Sequence, residues 1–495
     1  MIEKQVSLWA CLLFPSLPLD VFTRAGSPED AARPLVIGSG GHYPRVVAAN
    51  AAARDAGIRD DQLVSSALAL SPELVLRDRD CDAEARALAQ LATWTLTFTP
   101  MACLAPPNAV VADIGASLRL FGGLPRLVAQ LTRGALTLGY ANRLGIAPTP
   151  GAALLLARAG HRQPVGERSR LPETLGPLSL ALADIDDATR ATLREAGVTT
   201  FGQAAALPRD GVARRFGPAL VDLIDHALGL TPDPRAAFVP PPRFEGRLDL
   251  PAPVHDVEAL GFGVQRLVRD LAHWLTARGL GAVRLTLTLA HERYLRQRGL
   301  PATVVPFALG APARTPAHLL GVLRERLARV TLPAPVEAMA LASDETSPLA
   351  GRNLGLLPGD EADSVEVPLV DRLRARLGED ALYRLVPHAE HRPELACATA
   401  SPSARTRARI PPLPDAARPI WLLTEPQPLA HLFEARPWVV RDGPERIESG
   451  WWDGGDVRRD YFVADTPDGS STAWIYRDHR YGIDDGEWFL HGLFA

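Results

Sequence analysis

Residues 49–72 read ANAAARDAGIRDDQLVSSALALSP, a segment in which a short helix follows a strand directly. The spacing from Asn50 to Gly57 is helical and ends at a glycine. The preceding residues, 46–50, form a short apolar run typical of a strand. The segments on either side indicate which kind of sheet this strand belongs to.

Apolar strands alternate with amphipathic helices on both sides of this segment. The predicted strands are residues 8–14, 34–38, 46–50 and 108–114, and the predicted helices are residues 82–97 and 124–138. This alternation indicates an α/β or α+β region built on a mixed sheet, which we expect over residues 1–165.

Residues 171–230 have the pattern of helices alone. A helix that begins near Ala188, a turn at Gly197 and a second helix form a helix–turn–helix unit. Such units place backbone N–H groups against a DNA phosphate, although a small helical bundle explains the spacing equally well. Pro240-Pro-Pro-Arg then marks a linker.

The next block combines a long helix (257–278), an alternating strand (282–289) and a second helix (316–329). From Leu260 to Val330 there are 11 arginines and 3 acids. A solvated surface is one explanation. We favour nucleic-acid contact because helices on one side of a sheet leave its other face free. The candidate contacts are Arg293, Arg296 and Arg298.

The remaining residues divide into a connector and a β-rich module. Residues 346–368 are rich in glycine, proline and acids, which is typical of a flexible connector. Residues 369–495 contain a Pro-rich stretch and then a Trp-, Tyr- and Phe-dense tail with strand alternation. We expect a small β-rich module there.

The composition limits the possible classes of function. The chain has 495 residues, a net charge of −4 and 47% hydrophobic residues, which is an ordinary globular balance. No apolar run reaches the ~18 residues that span a bilayer, and no signal-like cleavage site follows the N-terminus. We therefore expect a cytoplasmic protein without membrane contact. Four cysteines without CxxC spacing argue against a zinc site and a disulfide scaffold.

No catalytic motif is apparent. The sequence contains no Walker-type loop, no HExxH and no GxSxG. His388 and His391, with Glu390 and Glu394 nearby, have a spacing that could hold a metal, but a solvated helix start explains the pair better. We expect neither a metal nor a cofactor.

The segment quoted first resembles the fingers of Y-family translesion DNA polymerases, which read A-N-Y-E-A-R-x-x-G-V-R. Residues 113–122 are similar to the end of the family's acidic active-site strand, and residues 144–150 are similar to its G-V-A-x-N/T-K region. The resemblance implies a multidomain α+β right hand followed by a C-terminal β-rich module. Its parts would be the palm and fingers (1–165), a helix–hairpin–helix thumb (166–240) and the little finger (244–345).

The sequence departs from this family at the positions that carry the chemistry. Y-family enzymes hold two divalent metals with three carboxylates. The corresponding positions here are Leu12, Asn108 and Ala109, and Asp113 comes five residues after Asn108. Neutral side chains do not hold two Mg²⁺ ions. Of the family's nucleotide-contacting Tyr–Arg pair, only Arg54 remains.

This pattern resembles the ImuB branch of the family, the catalytically degenerate pseudo-polymerases of bacterial mutasomes. Similar tail segments are residues 419–429, 443–453, 459–462 and 487–495. The resemblance implies a non-catalytic DNA-binding adaptor of the SOS response to DNA damage. Its implied partners are DNA, the sliding clamp, an error-prone replicative-type DNA polymerase and the RecA-like protein ImuA.

Two other functions are possible. The first is an active Y-family polymerase whose metal-binding carboxylates lie at positions other than Leu12, Asn108 and Ala109. The second, an unrelated helix–hairpin–helix nuclease, needs clustered Asp, Glu and His side chains that the sequence does not offer.

One segment of the connector predicts contact with the clamp. Clamp motifs of the family read Q-L-x-L-F, and Asn353, Leu354, Leu356 and Leu357 keep this pattern with two conservative changes. A loop packed on its own little finger is the alternative.

The tail predicts contact with protein rather than DNA. From Arg441 to Ala495 there are 12 acids and 6 arginines, an excess that repels phosphate. Trp451 and Trp452 lie between Gly450 and Gly454, and we expect them to be exposed and to bind a partner. Most of the other tryptophans should form the core of the module.

Overall fold

A computed structural model describes residues 7–24, 32–349, 362–378, 381–401, 417–429, 438–479 and 487–494. The chain forms two compact units that divide between Arg376 and Leu377. The candidate clamp residues Asn353, Leu354, Leu356 and Leu357 lie outside the described residues. Within these ranges, every helix is too short or too polar to cross a membrane.

The helices and strands follow in chain order. The strands are β1 (Trp9–Leu13), β2 (Leu35–Gly38), β3 (Val46–Ala49), β4 (Val75–Asp78), β5 (Ala102–Ala105), β6 (Ala109–Asp113), β7 (Arg143–Ala147), β8 (Glu245–Val254), β9 (Leu280–His291), β10 (Thr303–Ala313), β11 (Val336–Pro348), β12 (Arg384–Pro387), β13 (Cys397–Ala400), β14 (Trp421–Pro428), β15 (Val439–Ser449), β16 (Val457–Asp465), β17 (Thr472–Asp478) and β18 (Trp488–Leu493). The α-helices are α1 (Leu17–Thr23), α2 (Ala51–Asp55), α3 (Val64–Leu70), α4 (Cys81–Thr95), α5 (Leu124–Thr137), α6 (Pro150–Ala159), α7 (Leu171–Leu175), α8 (Asp187–Glu195), α9 (Phe201–Ala205), α10 (Arg209–Phe216), α11 (Pro218–Leu228), α12 (Gly261–Arg278), α13 (Arg293–Gln297), α14 (Pro316–Leu327) and α15 (Ala362–Leu377).

The palm sheet has the strand order β5-β6-β1-β7 and is antiparallel throughout. Because successive side chains of a strand point to opposite faces, each face has its own core. One face packs on α4 and α5, and the other packs on α6 and the thumb helices α7–α11. Gly145 lets α6 approach closely, since a Cβ there would lie 2.2 Å from the carbonyl oxygen of Ala153. Palm and thumb therefore share one core.

The fingers form a separate sheet, β3-β2-β4, in which β2 runs antiparallel to β3 and parallel to β4. The predicted mixed sheet is this one, not the palm sheet. Asn50 begins α2: its side chain accepts hydrogen bonds from the N–H groups of Ala53 (2.9 Å) and Leu35 (3.0 Å). The helix is thereby fixed to the neighbouring strand.

The little finger is the sheet β10-β9-β11-β8, with α12 and α14 on one face. A buried contact attaches it to the palm. Arg24, at the end of α1, pairs with Asp270 of α12 and with the hydroxyl of Tyr140. Among the described residues of the little finger, no helix covers the other face of the sheet, which we call the free face.

The helix α15 extends the first unit beyond its predicted end. Asp371 is buried and accepts hydrogen bonds from the N–H of Gly310 (2.8 Å) and from Nε2 of His318 (3.0 Å), so that α15 packs on the little finger. The sequence placed a connector over 346–368. The structure instead has β11 running to Pro348 and a helix from Ala362.

The second unit, the C-terminal module, contains the sheet β14-β18-β17-β16-β15 and the hairpin β12–β13. This agrees with the predicted β-rich module. His388 and His391 are exposed in the loop between β12 and β13, so the predicted helix start at this pair is wrong. A short 3₁₀ turn, Pro393–Leu395, follows this pair and leads into β13.

Candidate functional site

The end of β1 meets the start of β6 in the middle of the palm sheet. Leu13 pairs with Ala109, and Leu12 pairs with Val110. One residue further, the N–H of Phe14 donates to the carbonyl oxygen of Asn108 (2.8 Å). The predicted metal positions Leu12, Asn108 and Ala109 therefore lie at the same end of two neighbouring strands.

Their side chains do not all point the same way. Leu12 is fully buried against α4 and α5, whereas Leu13 and Ala109 are buried on the opposite face with α6 and the thumb. The residue opposite Ala109 is thus Leu13, which the sequence alignment did not identify. Only the strand register shows this pairing, and one sequence does not reveal register.

Asp113 lies at the other end of β6, where it pairs with Trp9. It comes four positions after Ala109, which corresponds to ~13 Å along a strand. Its Oδ1 accepts the N–H of Gly115 (3.0 Å), so the carboxylate shapes the turn after β6. Asp113 is too far away to act together with side chains at the Leu13–Ala109 end.

The acid closest in sequence to the end of β1 is Asp20, in the first turn of α1. It is 8% exposed, and its Oδ2 accepts the N–H of Ala141 (3.0 Å). Burial raises the pKa of Asp20 to about 7, although the hydrogen bond from Ala141 lowers it. Across the described part of the chain, no group of three or more His, Cys, Asp or Glu side chains is arranged to hold a metal ion.

Arg54, the predicted nucleotide contact, is on α2 at the surface of the fingers. Its carbonyl oxygen accepts Nη1 of Arg59 (2.8 Å), and its guanidinium is 4.0 Å from the Asp60 carboxylate. The side chain is half exposed, so a ligand can reach it. Its role stays a prediction.

Of the three candidate arginines of the little finger, Arg293 and Arg296 lie in α13 and Arg298 follows it, and the three differ in their contacts. Arg296 donates to the carbonyl oxygen of His291 (2.8 Å) and lies 3.7 Å from Glu337, and Arg298 donates to the hydroxyl of Tyr294 (2.8 Å). For the guanidinium of Arg293, the described residues provide no hydrogen bond or ion pair, and the side chain is exposed. Arg293 is therefore the most accessible of the three to a phosphate.

Three arginines at the free face of the little-finger sheet each pair with an acid. Arg247 pairs with Asp249 (2.7 Å), and Arg243 pairs with Asp344 (2.7 Å). A third pair joins Arg284 to Glu345 at 3.8 Å. The arginine excess seen in the sequence therefore belongs to α13 and to the helices α12 and α14 rather than to this face.

Trp451 and Trp452 are exposed in the turn between β15 and β16, as their position between two glycines predicted. Their exposed fractions are 76% and 58%, and their ring centroids are 5.4 Å apart. Trp474 is buried, as expected for a core residue, but Trp421 on the edge strand β14 is 68% exposed, which the sequence did not single out. Partner binding by the exposed pair stays a prediction.

The buried face of the module holds stacked aromatic rings and one histidine. Trp474 stacks on Tyr461 with ring centroids 3.9 Å apart, and the hydroxyl of Tyr461 is 2.8 Å from Nδ1 of His491. Burial lowers the pKa of His491 to about 4, although Glu394 opposes this shift. His491 is therefore neutral at neutral pH.

Comparisons with known proteins agree with this architecture. The impB/mucB/samB family matches residues 22–158, which include the fingers and most of the palm. Protein ImuB of Caulobacter vibrioides strain NA1000 is 29% identical over 474 residues, covering 89% of this chain and 100% of the relative. The chain is similar to ImuB over nearly its whole length. The ImuB of strain CB 15 matches to the same extent.

Solved structures of Y-family polymerases are also similar. A chimera of Dbh and Dpo4 has a TM-score of 0.40 and 15% identity, covering 68% of this chain and 98% of the chimera. DinB from Sulfolobus solfataricus has a TM-score of 0.39 and 14% identity, covering 69% and 100%.

The predicted resemblance to ImuB is confirmed by the match over 89% of the chain. The predicted multidomain α+β fold class is confirmed as well, because helices and sheets are mixed in the first unit and a β-rich unit follows it.

Proposed function

We propose that this chain is a non-catalytic DNA-binding adaptor of a translesion-synthesis complex that acts after DNA damage. The observation that carries the proposal is the apolar end of β1 and β6. Leu13 and Ala109 face each other there, and Leu12 is buried on the other side. A polymerase of this family needs carboxylates at this end of the sheet.

Two Mg²⁺ ions activate the primer hydroxyl and stabilise the leaving pyrophosphate, and each ion needs several oxygen ligands. Asn108 offers one neutral amide at this place, and Leu13 and Ala109 offer no side-chain oxygen. Asp113, ~13 Å away along the strand, does not complete a site.

A nucleotide-dependence experiment tests this proposal. We expect the full chain to bind a labelled primer–template equally well with chelator, with Mg²⁺, and with Mg²⁺ plus the templated dNTP. An active polymerase closes on the templated dNTP and releases DNA more slowly. Tightening that requires both Mg²⁺ and the templated dNTP would contradict the adaptor and favour an active enzyme.

The second element of the proposal is attachment to the sliding clamp through Asn353, Leu354, Leu356 and Leu357. A short motif of this kind gains affinity by placing a few apolar anchors in a preformed groove. Changing Leu356 and Leu357 to Ala should abolish clamp binding in a surface-binding assay and leave DNA binding intact. Leu369→Ala, which removes an exposed leucine of α15, is the matched control. Clamp binding by the double variant at wild-type strength would rule this motif out.

The third element is docking of the error-prone polymerase and of ImuA on the C-terminal module. The support is the separate compact unit from Leu377 onward and its exposed tryptophans. A chain that ends at Arg376 should lose both protein partners in co-purification and keep DNA and clamp binding. Retention of both partners by the shortened chain would contradict this assignment.

A further inference from the structure

The turn between β15 and β16, residues 450–456, is held rigid by charges from another part of the module, and we call it the tryptophan turn. Arg392, from the loop between β12 and β13, donates to both oxygens of Asp453 (3.1 and 2.6 Å) and to the carbonyl oxygen of Gly455 (3.3 Å). Glu390 accepts the same guanidinium at 2.8 Å. Arg392, oriented by Glu390, therefore holds the backbone of the turn in place.

Gly450 and Gly455 lie so close to Arg392 that a side chain at either position would collide with it. A Cβ on Gly450 would lie 2.7 Å from Nη1 of Arg392, and one on Gly455 would lie 2.6 Å from it. Gly450 also has a φ of +83°, which side chains rarely adopt. The backbone is therefore held closely around the arginine, while the two indoles that it carries remain in solvent.

Rigid exposed aromatic rings are typical of binding surfaces. An indole presents a large apolar area and loses little conformational entropy when it is covered. An anchor that is already in its bound position costs less to bind. Trp451 and Trp452 form such a pair, and the ring of Trp452 already has one guanidinium, that of Arg392, 6.0 Å from its centroid.

The rim of the turn is acidic. The side chains of Asp453 and Asp456 are 43% and 45% exposed, and Glu448 is exposed at the end of β15. Two exposed arginines lie nearby: Arg458 is opposite Glu448 in the strand register and 3.8 Å from Asp456, and Arg446 pairs with Asp460. Arg392 is buried and its charge is shared between Glu390 and Asp453. A cation that approaches the indoles thus meets carboxylates, and a phosphate is repelled.

We infer that the tryptophan turn binds a cationic segment of a partner protein, with an arginine or lysine side chain over the exposed indoles and the acids around it. A cation over the face of a tryptophan is attracted by the ring, and neighbouring carboxylates strengthen that attraction. The inference rests on the proposed adaptor function and names the chemistry of its partner. Single-stranded nucleic acid also stacks on tryptophan, but its phosphates would face the acidic rim.

A peptide-binding experiment with the full chain tests the inference. The probe is a fluorescein-labelled peptide of alternating arginine and glycine, and the readout is its anisotropy. We expect Trp451→Ala with Trp452→Ala to weaken binding by about ten-fold, because two cation–ring contacts are lost while every charge is kept. Trp421→Ala, which removes another exposed tryptophan of the same module, should change the affinity less than about two-fold.

The charge of the rim gives a second, independent variant. Glu448→Gln with Asp456→Asn should weaken the same peptide and flatten the dependence of its affinity on salt, because two exposed acids are neutralised. The hydrogen-bond partners of Arg392 are Glu390, Asp453 and Gly455, and both substitutions leave them unchanged, so the turn should keep its conformation. An unchanged salt dependence would overturn the electrostatic part of the inference.

Three outcomes overturn the inference as a whole. They are wild-type affinity in the double tryptophan variant, tighter binding of a proline-rich peptide without cations, and tighter binding of a single-stranded oligonucleotide to the same turn. Co-purification separates this inference from the adaptor proposal. If the double variant keeps its protein partners while the chain that ends at Arg376 loses them, the adaptor stands and the tryptophan turn is not its contact.

Discussion

The end of β1 in the palm and the tryptophan turn both hold apolar side chains where function is expected, but they hold them in opposite ways. At the palm, Leu12, Leu13 and Ala109 are buried and complete two cores. At the turn, Trp451 and Trp452 are exposed while the charged Arg392 beneath them is buried. Buried leucines stabilise the fold and need no ligand, whereas exposed indoles leave apolar area that a partner can cover. The strand ends are therefore filled by the protein's own side chains, whereas the turn leaves two indoles in solvent.

The largest expected effect is a difference in stability between removing a buried and removing an exposed tryptophan of the module. Trp474→Ala should lower the free energy of unfolding by about 3–5 kcal/mol, because a stacked core ring is removed. Trp451→Ala should change it by less than about 0.5 kcal/mol. Denaturant unfolding of the full chain, with near-ultraviolet circular dichroism as a probe of aromatic packing, measures both. Equal losses would show that Trp451 also belongs to a core and would break the comparison.

The next effect concerns the buried acid of the palm. The pKa of Asp20 is raised from 3.8 to about 7, so the folded state binds a proton that the unfolded state has lost. The contribution of Asp20 to the free energy of unfolding is therefore largest below pH 3.8, and it is lost as the pH rises from 3.8 to about 7. Asp20→Asn should stabilise the protein above pH 7 by up to about 4 kcal/mol and have little effect at acidic pH. A palm that is destabilised by Asp20→Asn above pH 7 would indicate that this carboxylate has a charged partner.

His491 provides the corresponding test in the module, with the opposite sign. Its pKa is lowered from 6.5 to about 4, so the unfolded state takes up a proton first as pH falls. The module should keep its full stability above pH 6.5 and lose part of it between pH 6.5 and about 4. His491→Gln, which can still accept a hydrogen bond from Tyr461, should flatten this loss in pH-dependent unfolding. A loss of the same size in the variant would place its origin in other groups.

The smallest effect is on DNA binding by the little finger. Arg293→Ala should reduce the slope of log affinity against log salt by about 0.9, the value for one phosphate contact. Arg298→Ala is the matched control, because Tyr294 already holds its guanidinium. The reverse order of the two variants would place the phosphate at Arg298.

The sequence predicts the elements of this fold better than their pairing. The predicted strand at 108–114 is found as Ala109–Asp113, and the predicted helix at 316–329 is found as Pro316–Leu327, because both have a clear apolar period. The helix α15 escapes prediction because Pro368 and an acid-rich start hide its period. The family's sequence pattern selected Leu12 for the metal position, and only the register of β1 with β6 brings Leu13 opposite Ala109.

The exposed surface was predictable only in part. The glycines on either side of Trp451 and Trp452 indicate a turn, and a turn keeps its side chains in solvent. The hydrogen bonds between Arg392 and Asp453 join residues about 60 positions apart in sequence, a separation that no local pattern reveals. For the same reason, the acids that neutralise the free face of the little-finger sheet did not follow from the count of its arginines.

Primer extension tests the central claim, that the palm of this chain carries no polymerase chemistry. The full chain, purified through a denaturing step and refolding, is incubated with a primer–template, all four dNTPs and Mg²⁺ or Mn²⁺, beside an active Y-family polymerase. We expect no extension from the wild type, and none from Asn108→Asp with Ala109→Glu, since Leu13 and Leu12 still leave β1 without a ligand. Template-directed extension by the wild-type chain that follows the protein through purification and stops with chelator would contradict the account.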